Sequence, residues 1–383
     1  MLLRIENTPR PYAWGSTTAI SDLLGTVPSG RPEAELWLGD HPGSPARIVT
    51  DDPNVASDLS SMLSARGEKL PFLLKVLAAA EPLSLQAHPT IAQARKGFAR
   101  ENAAGIALDA PERNYKDELH KPELIYALSD PFIALAGFRP VALSHAALVA
   151  AGDPALEPLI ARLVDDASMP AVVRWIIEGG PAVASIVDAL MTTARHLENN
   201  PGDSAGWATV RRLADHYPGD AGIALSALMH TVVLRPGEAL YLPTGNIHSY
   251  QQGLAIEVMA ASDNVLRGGL TPKHVDVHEL MRVLDARVVP EPRIAPVEVQ
   301  PGVQRFTPGV DDFTLTVVEA GAASAGIALD SDGPAIVLCL DGPLGLQESL
   351  TLARGQAAYC DEPMLRLLGA GRAVVASGRH PAG

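Results

Sequence analysis

The stretch that most restricts what this chain can fold into is Pro236-Gly237-Glu238-Ala239-Leu240-Tyr241-Leu242-Pro243-Thr244-Gly245-Asn246-Ile247-His248. It reads as strand, turn, strand. Gly237 permits the turn that enters the first strand. Pro243 lacks an amide hydrogen and ends strand pairing on one side. Gly245 allows a tight reversal. The spacing G-x5-P-x-G-x2-H then sets His248 on the following strand, directed at the interior of a small β-barrel. A histidine there is either a hydrogen-bonded core residue or a metal ligand, and one histidine does not hold a metal alone.

Two other segments supply partners. Gln86-Ala87-His88-Pro89 offers an amide oxygen and an imidazole at i and i+2, positions that share a face on a strand. In Tyr115-Lys116-Asp117-Glu118-Leu119-His120-Lys121-Pro122-Glu123, the proline restricts the backbone before a carboxylate. Two His, one Glu and one Gln suit zinc, and manganese, iron or cobalt stay open on ligand type.

The chain has 383 residues, room for two or three domains. Residues 1–140 mix short apolar runs, such as Phe72-Leu73-Leu74-Lys75-Val76-Leu77, with Pro and Gly, and read as short strands. A helix is expected after His88, through Ala92 to Lys96. Residues 141–230 carry apolar side chains at helical spacing and read as a helical domain. From 231 the β pattern returns. Gly237-Glu238-Ala239-Leu240-Tyr241 aligns with Gly355-Gln356-Ala357-Ala358-Tyr359, which suggests a repeat. In that second copy Asp361 matches Pro243 and Arg366 matches His248, so it keeps the strand-turn-strand and lacks the histidine. The expected division is a catalytic barrel (1–140 and 231–290), a helical domain (141–230) and a metal-free β domain (291–383).

With 30 Lys and Arg against 44 Asp and Glu, the formal charge is −14. Such a chain is a poor general binder of nucleic acid or anionic membrane, so none is expected as a partner. An anionic ligand would need a local basic cluster. The two cysteines, Cys339 and Cys360, sit in apolar stretches without CxxC spacing, which fits a reducing compartment. No secretory apolar segment opens the chain, and the apolar runs are too short to span a bilayer. A cytoplasmic monomer or weak homo-oligomer is expected.

The His248 turn resembles the second motif of the cupins, small double-stranded β-barrels that hold a metal near their centre. Several blocks taken together resemble the type I mannose-6-phosphate isomerases. These are Tyr12-Ala13-Trp14-Gly15-Ser16; Ala34-Glu35-Leu36-Trp37-Leu38-Gly39 with His41-Pro42; Leu70 to Leu77; Leu83-Ser84-Leu85-Gln86-Ala87-His88-Pro89; His120-Lys121-Pro122-Glu123; and the long run Glu257 to Lys273. The resemblance implies a mainly β fold: a cupin (jelly-roll) core, a helical domain and a second cupin-like β domain. It implies one zinc per chain on Gln86, His88, Glu123 and His248, and an active-site arginine at Arg267. Two departures stand out. Leu119 occupies a position where the family usually has Asn, and Thr90-Ile91 follow Gln-x-His-Pro where it favours Asp or Asn and then Lys.

The implied reaction interconverts mannose 6-phosphate and fructose 6-phosphate through a cis-enediol. A Lewis acid orients the sugar oxygens, and a base reaches the carbon-bound proton. Glu257 and Lys121 are the candidate bases. Arg267 stays protonated, and it suits a developing oxyanion or the phosphate. Tyr250 and His120 are expected near the metal, with Tyr250 as a substrate contact. Lys75, Ser84 and Lys273, with Lys121 and Arg267, are the candidate phosphate contacts, and Lys75, flanked by apolar residues, is expected to enter a pocket. The run His274-Val275-Asp276-Val277-His278 has metal-like spacing but sits where a helix should start. His41 receives no role. Rival readings are an isomerase of another phosphorylated aldose, a non-catalytic sugar-phosphate sensor, and an iron-dependent oxygenase, which Gln86 as a ligand fits poorly.

Overall fold

A computed structural model describes residues 1–200, 202–322, 326–331 and 333–379. One long strand, His248–Ala260, organises the region around the expected site. Its first part pairs with Leu85–Ala87 and Phe132–Phe138, placing Gln86 and Ala136 on either side of His248. Its second part pairs with Phe72–Ala79 and Glu123–Ala127, with Glu257 opposite Lys75 and Ile125. The register shifts between Tyr250 and Gln252, so a β-bulge divides the two parts. These strands belong to a 10-stranded antiparallel sheet that also contains Ala239–Leu242 and Leu266–Gly269. The chain is therefore mainly β with a helical portion, as expected.

The turn before His248 is built as its residues require. Gly237 and Gly245 have φ of 96° and 82°, the left-handed region that side chains with a Cβ avoid. Pro243 follows the last residue of Ala239–Leu242, where a missing amide costs no ladder bond.

The helical stretch matches its apolar periodicity. Val141–Ala151, Met169–Glu178, Pro181–His196 and Ala205–His216 bury Leu148, Val172, Val173, Ile176, Val183, Ile186, Val187, Leu190, Val210 and Leu213 in one cluster. That cluster continues into Leu85, Ala87, Ile247 and Leu266, so the helices back the strands that carry the site. No single helix among the described residues is long and apolar enough to cross a membrane.

The first 140 residues hold more helix than expected. Beyond Ile91–Ala103, which follows His88 as anticipated, short helices form at Ala19–Leu24 and Leu59–Ala65. The second starts because the Asp58 side chain accepts the Ser61 amide, a local capping bond that apolar periodicity does not register. The expected division also needs a refinement. Leu2–Glu6 pairs with Ala357–Cys360, so the first strand belongs to the eight-stranded sheet formed mostly by C-terminal strands.

In the suspected repeat, Ala357–Cys360 and Met364–Gly369 do form strand, turn, strand. Arg366 faces outward, while Leu365 and Leu367 fill the interior. A second core cluster joins the two sheets, mixing Leu36, Phe72, Leu124 and Ile256 with Phe306, Phe313, Ile336 and Tyr359. Shared apolar packing should make the two parts unfold together. Ile336→Ala in the C-terminal sheet is expected to cost roughly 2–5 kcal/mol. All the tryptophans (Trp14, Trp37, Trp175 and Trp207) lie outside that sheet's C-terminal part. Their fluorescence should nonetheless report the full shift in a single transition, and an unshifted tryptophan transition would refute the shared core.

Candidate metal centre and active site

Three strand systems converge on one buried group. His88, just past Leu85–Ala87, Glu123, first residue of Glu123–Ala127, and His248, first residue of the long strand, offer ligand atoms within 4.8 Å of one another. All three are at most 1% exposed. His88 Nε2 lies 3.2 Å from Glu123 Oε1, and His248 Nε2 lies 3.1 Å from Glu123 Oε2. Neither approach is a well-directed hydrogen bond, and both Nε2 atoms and Glu123 Oε1 are buried without one.

The other ring nitrogens explain why. His88 Nδ1 is 2.7 Å from the backbone oxygen of Asn264, and His248 Nδ1 is 3.2 Å from that of Asn246. A carbonyl can only accept, so each Nδ1 carries a proton, and in the neutral ring the lone pair is on Nε2, which lies toward Glu123. Burial, then the Lys121 charge, pushes His88 down to about 4, which keeps it neutral. Burial would raise the Glu123 carboxyl, but Lys121 and then His88 hold it well below its ordinary range. Two imidazole nitrogens and an ionised carboxylate, all buried and converging, form a donor set that fits a divalent cation.

Gln86 sits directly opposite His248 on one side and Arg267 on the other. It is half-buried, and no hydrogen bond from a described residue engages its amide. The strand ends at Ala87, so same-face alternation does not itself orient His88; the Asn264 carbonyl does.

Two buried lysine–glutamate pairs line the group. Lys121 Nζ lies 2.8 Å from Glu123 Oε1, and the Tyr250 hydroxyl donates to Glu123 Oε2 at 3.1 Å. Lys75 Nζ lies 3.0 Å from Glu257 Oε2 and 5.3 Å from the Trp37 ring centre. Burial opposes the Lys75 charge, but Glu257, then Glu35 and Glu123, more than offset it and raise its pKa. Lys75 is thus buried and directed at Glu257. Burial raises Glu257, and Lys75 only partly opposes this. Burial, followed by the Glu123 and Glu257 charges, pushes the Tyr250 hydroxyl up, so it stays a proton donor.

Arg267, on Leu266–Gly269, is half-buried and makes no hydrogen bond or ion pair with a described residue. Burial lowers its pKa. Burial and then the Arg267 charge lower that of Lys273, and Arg267 also acts on Lys116. Arg267, Lys273 and Lys116 thus lie close enough for their charges to interact. Ser84 precedes the paired strand Leu85–Ala87, whose Leu85 faces Gly269. His274 and His278 are exposed at the start of Val277–Val283 and join no metal-capable group among the described residues.

The family model for the catalytic domain of type I phosphomannose isomerases matches residues 2–141. A mannose-6-phosphate isomerase of Salmonella typhimurium is 37% identical, with 96% of this chain and 97% of that protein covered. The chain belongs to the type I phosphomannose isomerases. A family member from Rattus norvegicus is 31% identical over 91% of this chain and 90% of its own. A crystal structure of the Salmonella typhimurium isomerase bound to its substrate, fructose 6-phosphate, and a zinc atom superposes with a TM-score of 0.87 at 34% identity, covering 99% of both chains.

The two departures from the family pattern are accommodated. Leu119 is exposed, and the segment is held by its backbone oxygen, which accepts from Asn264 Nδ2 at 2.8 Å and Ser262 Oγ at 3.3 Å. Thr90 caps Ile91–Ala103 in a reciprocal capping box with Gln93.

Sequence reasoning missed Asn264. Fully buried, it holds His88 through its backbone oxygen, while its side chain bonds the Lys116 amide and the Asp117 and Leu119 carbonyls. Turn-forming Ser262-Asp263-Asn264 after so long a strand was the available signal. His41 was also missed: its Nδ1 accepts the Gly43 amide, so Nε2 donates to Asp263 at 2.9 Å, within reach of the Lys121 and Lys75 charges.

Outer contacts of this kind typically change metal affinity about 10–100-fold. Asn264→Ala keeps the backbone oxygen that holds His88 but loses the side-chain bonds that fix its loop, so zinc binding should weaken toward that order in a chelator competition, and unchanged affinity would show that the side chain does not hold the oxygen in place. The metal-free protein should also show a defined acid response. A solvated imidazole titrates near ~6.5, whereas buried His88 titrates near about 4. As pH falls, the unfolded chain takes this proton first. The stability due to neutral His88 is complete above ~6.5 and is lost towards about 4. Denaturation midpoints of chelator-treated wild type should fall more steeply across that window than those of His88→Gln, and parallel curves would contradict the assignment.

Proposed function

We propose that this chain interconverts mannose 6-phosphate and fructose 6-phosphate through a cis-enediol, with one zinc held by Gln86, His88, Glu123 and His248. The observation that carries this is the convergence of two buried Nε2 atoms, neither hydrogen-bonded, on the Glu123 carboxylate, with Arg267 opposite Gln86 and unpaired among the described residues. Bound zinc would supply Lewis acidity to the sugar oxygens at C1 and C2.

The chain's own residues account for the rest. Arg267 and Lys273, with Ser84 as a hydroxyl donor, take the phosphate, and Arg267 also reaches toward oxyanion character developing at the sugar. Lys121 and Lys75 lie against Glu123 and Glu257, and contribute positive potential where enediolate charge builds. Glu257 serves as the base. Its buried carboxyl is raised toward neutrality, it removes the proton from C2 of the aldose, and it returns that proton to C1. Tyr250 donates a hydrogen bond and helps pass the hydroxyl proton between O1 and O2.

On this reading the catalytic cupin barrel spans 1–140 and 231–290 apart from Leu2–Glu6, the helical domain 141–230 and a metal-free cupin-like domain 291–383, and the protein is cytoplasmic. Purified protein should contain about one zinc per chain by this reading, and should convert mannose 6-phosphate faster than glucose or allose 6-phosphate in a coupled assay. Arg267→Ala should lose roughly 100-fold or more in kcat/KM while keeping its zinc. Fully zinc-loaded wild type without turnover on any of the three would overturn the proposal.

A further inference from the structure

Lys121 stands two residues ahead of the strand that begins at Glu123, on a segment that no strand ladder holds. On one side that segment is bound by its own backbone: Ser262 and Asn264 donate to the Leu119 oxygen, and the Ala260 amide donates to that of Pro122. On the other side, among the described residues, it has one side-chain anchor to the C-terminal sheet. His120 Nε2 donates to Asp312 Oδ2 at 2.8 Å, across 192 residues of sequence. A carboxylate only accepts, so the ring proton resides on Nε2.

Asp312 is not loosely placed. It precedes Phe313, which is fully buried in the core shared by the two sheets. Gly378, just past the strand Arg372–Ser377, lies against it. A Cβ at 378 would collide with the Asp312 backbone oxygen and press on Pro71 Cγ at 2.9 Å. Pro71 leads into the strand that carries Lys75. The loop is thus wedged between the C-terminal sheet and the strands that bear the site.

We propose that Asp312, contributed by the C-terminal sheet, is a positioning residue of the active site that acts through His120 to hold the Lys121 ammonium against Glu123. The C-terminal part then completes the site, although its own interior is apolar. This rests on the isomerase reading above. Asp312 touches neither substrate nor metal; it fixes a neighbour of the residue that touches Glu123.

The test compares Asp312→Ala, Asp312→Asn, His120→Asn and the double variant Asp312→Ala/His120→Asn, each with its zinc content and melting temperature. A misplaced ammonium should lower kcat by roughly 10- to 100-fold, with KM and zinc content close to wild type. Asp312→Asn should recover most of kcat, because its amide oxygen accepts the same hydrogen bond. The double variant should be no worse than the poorer single one, since both act through one contact. Gly378→Ala should reproduce the defect from the other side of the loop. Cobalt(II)-substituted protein gives a readout independent of turnover: its visible ligand-field bands should shift in Asp312→Ala and stay unshifted in Asp312→Asn. If Asp312→Ala does not fold, Gly378→Ala and His120→Asn carry the comparison. Wild-type kcat in Asp312→Ala, an Asp312→Asn as poor as the alanine variant, additive losses, or unmoved cobalt bands would overturn the proposal. An inactive zinc-loaded wild type would instead refute the isomerase reading, leaving the cobalt bands to decide this one.

Discussion

Glu123 carries a negative charge in a place with almost no water, and much of the surrounding structure follows from that. Moving a carboxylate into a protein interior costs several kcal/mol unless it is paired and hydrogen-bonded. Lys121 and the Tyr250 hydroxyl provide part of what is needed. The two nearest nitrogens do the opposite. With Nδ1 protons committed to the Asn264 and Asn246 carbonyls, His88 and His248 turn Nε2 atoms that make no hydrogen bond toward the carboxylate at 3.1–3.2 Å. Such an arrangement is uneven as a set of protein groups and well balanced once a divalent cation lies among them.

The same logic orders the charges farther out. Lys121 and Lys75 are buried, and each is matched by one glutamate. The remaining cations, Arg267 and Lys273, lie nearer solvent and repel each other. A protein with a formal charge of −14 would otherwise repel a sugar phosphate. Under the proposed reading, unpaired positive charge beside interior charges that are already balanced would give the phosphate a direction of approach.

What was legible in the sequence was local. The turn before His248 could be recognised because positive φ at Gly237 and Gly245 restricts residue type. The helical stretch could be recognised because burial imposes its period on Val172 through Leu190. Lys75 could be placed because an ionic side chain amid Leu and Val has few other options. Residues that act across long separations were hidden. His41 meets Asp263 and His120 meets Asp312 through loops with no periodicity. Asn264 orients His88 with a backbone oxygen, which every residue type possesses. Leu2–Glu6 joins the sheet of Ala357–Cys360 through ladder bonds that leave little compositional trace.

The bulge at Tyr250 and Gln252 has a consequence for the length of the chain. Before it, even-numbered residues face the pocket: His248 supplies a nitrogen and Tyr250 a hydroxyl. After it, odd-numbered residues do, as Glu257 beside Lys75 shows, while Ile256 and Val258 turn to the core shared with the C-terminal sheet. The extra residue is a change of phase between two halves of one strand. Removing it would send Glu257 into hydrocarbon and two aliphatic side chains toward the substrate, with every residue type in the strand left as it was. The spacing between His248 and Glu257 is therefore as much a part of the site as either side chain, and the strand should accept many single substitutions more readily than the loss of one residue.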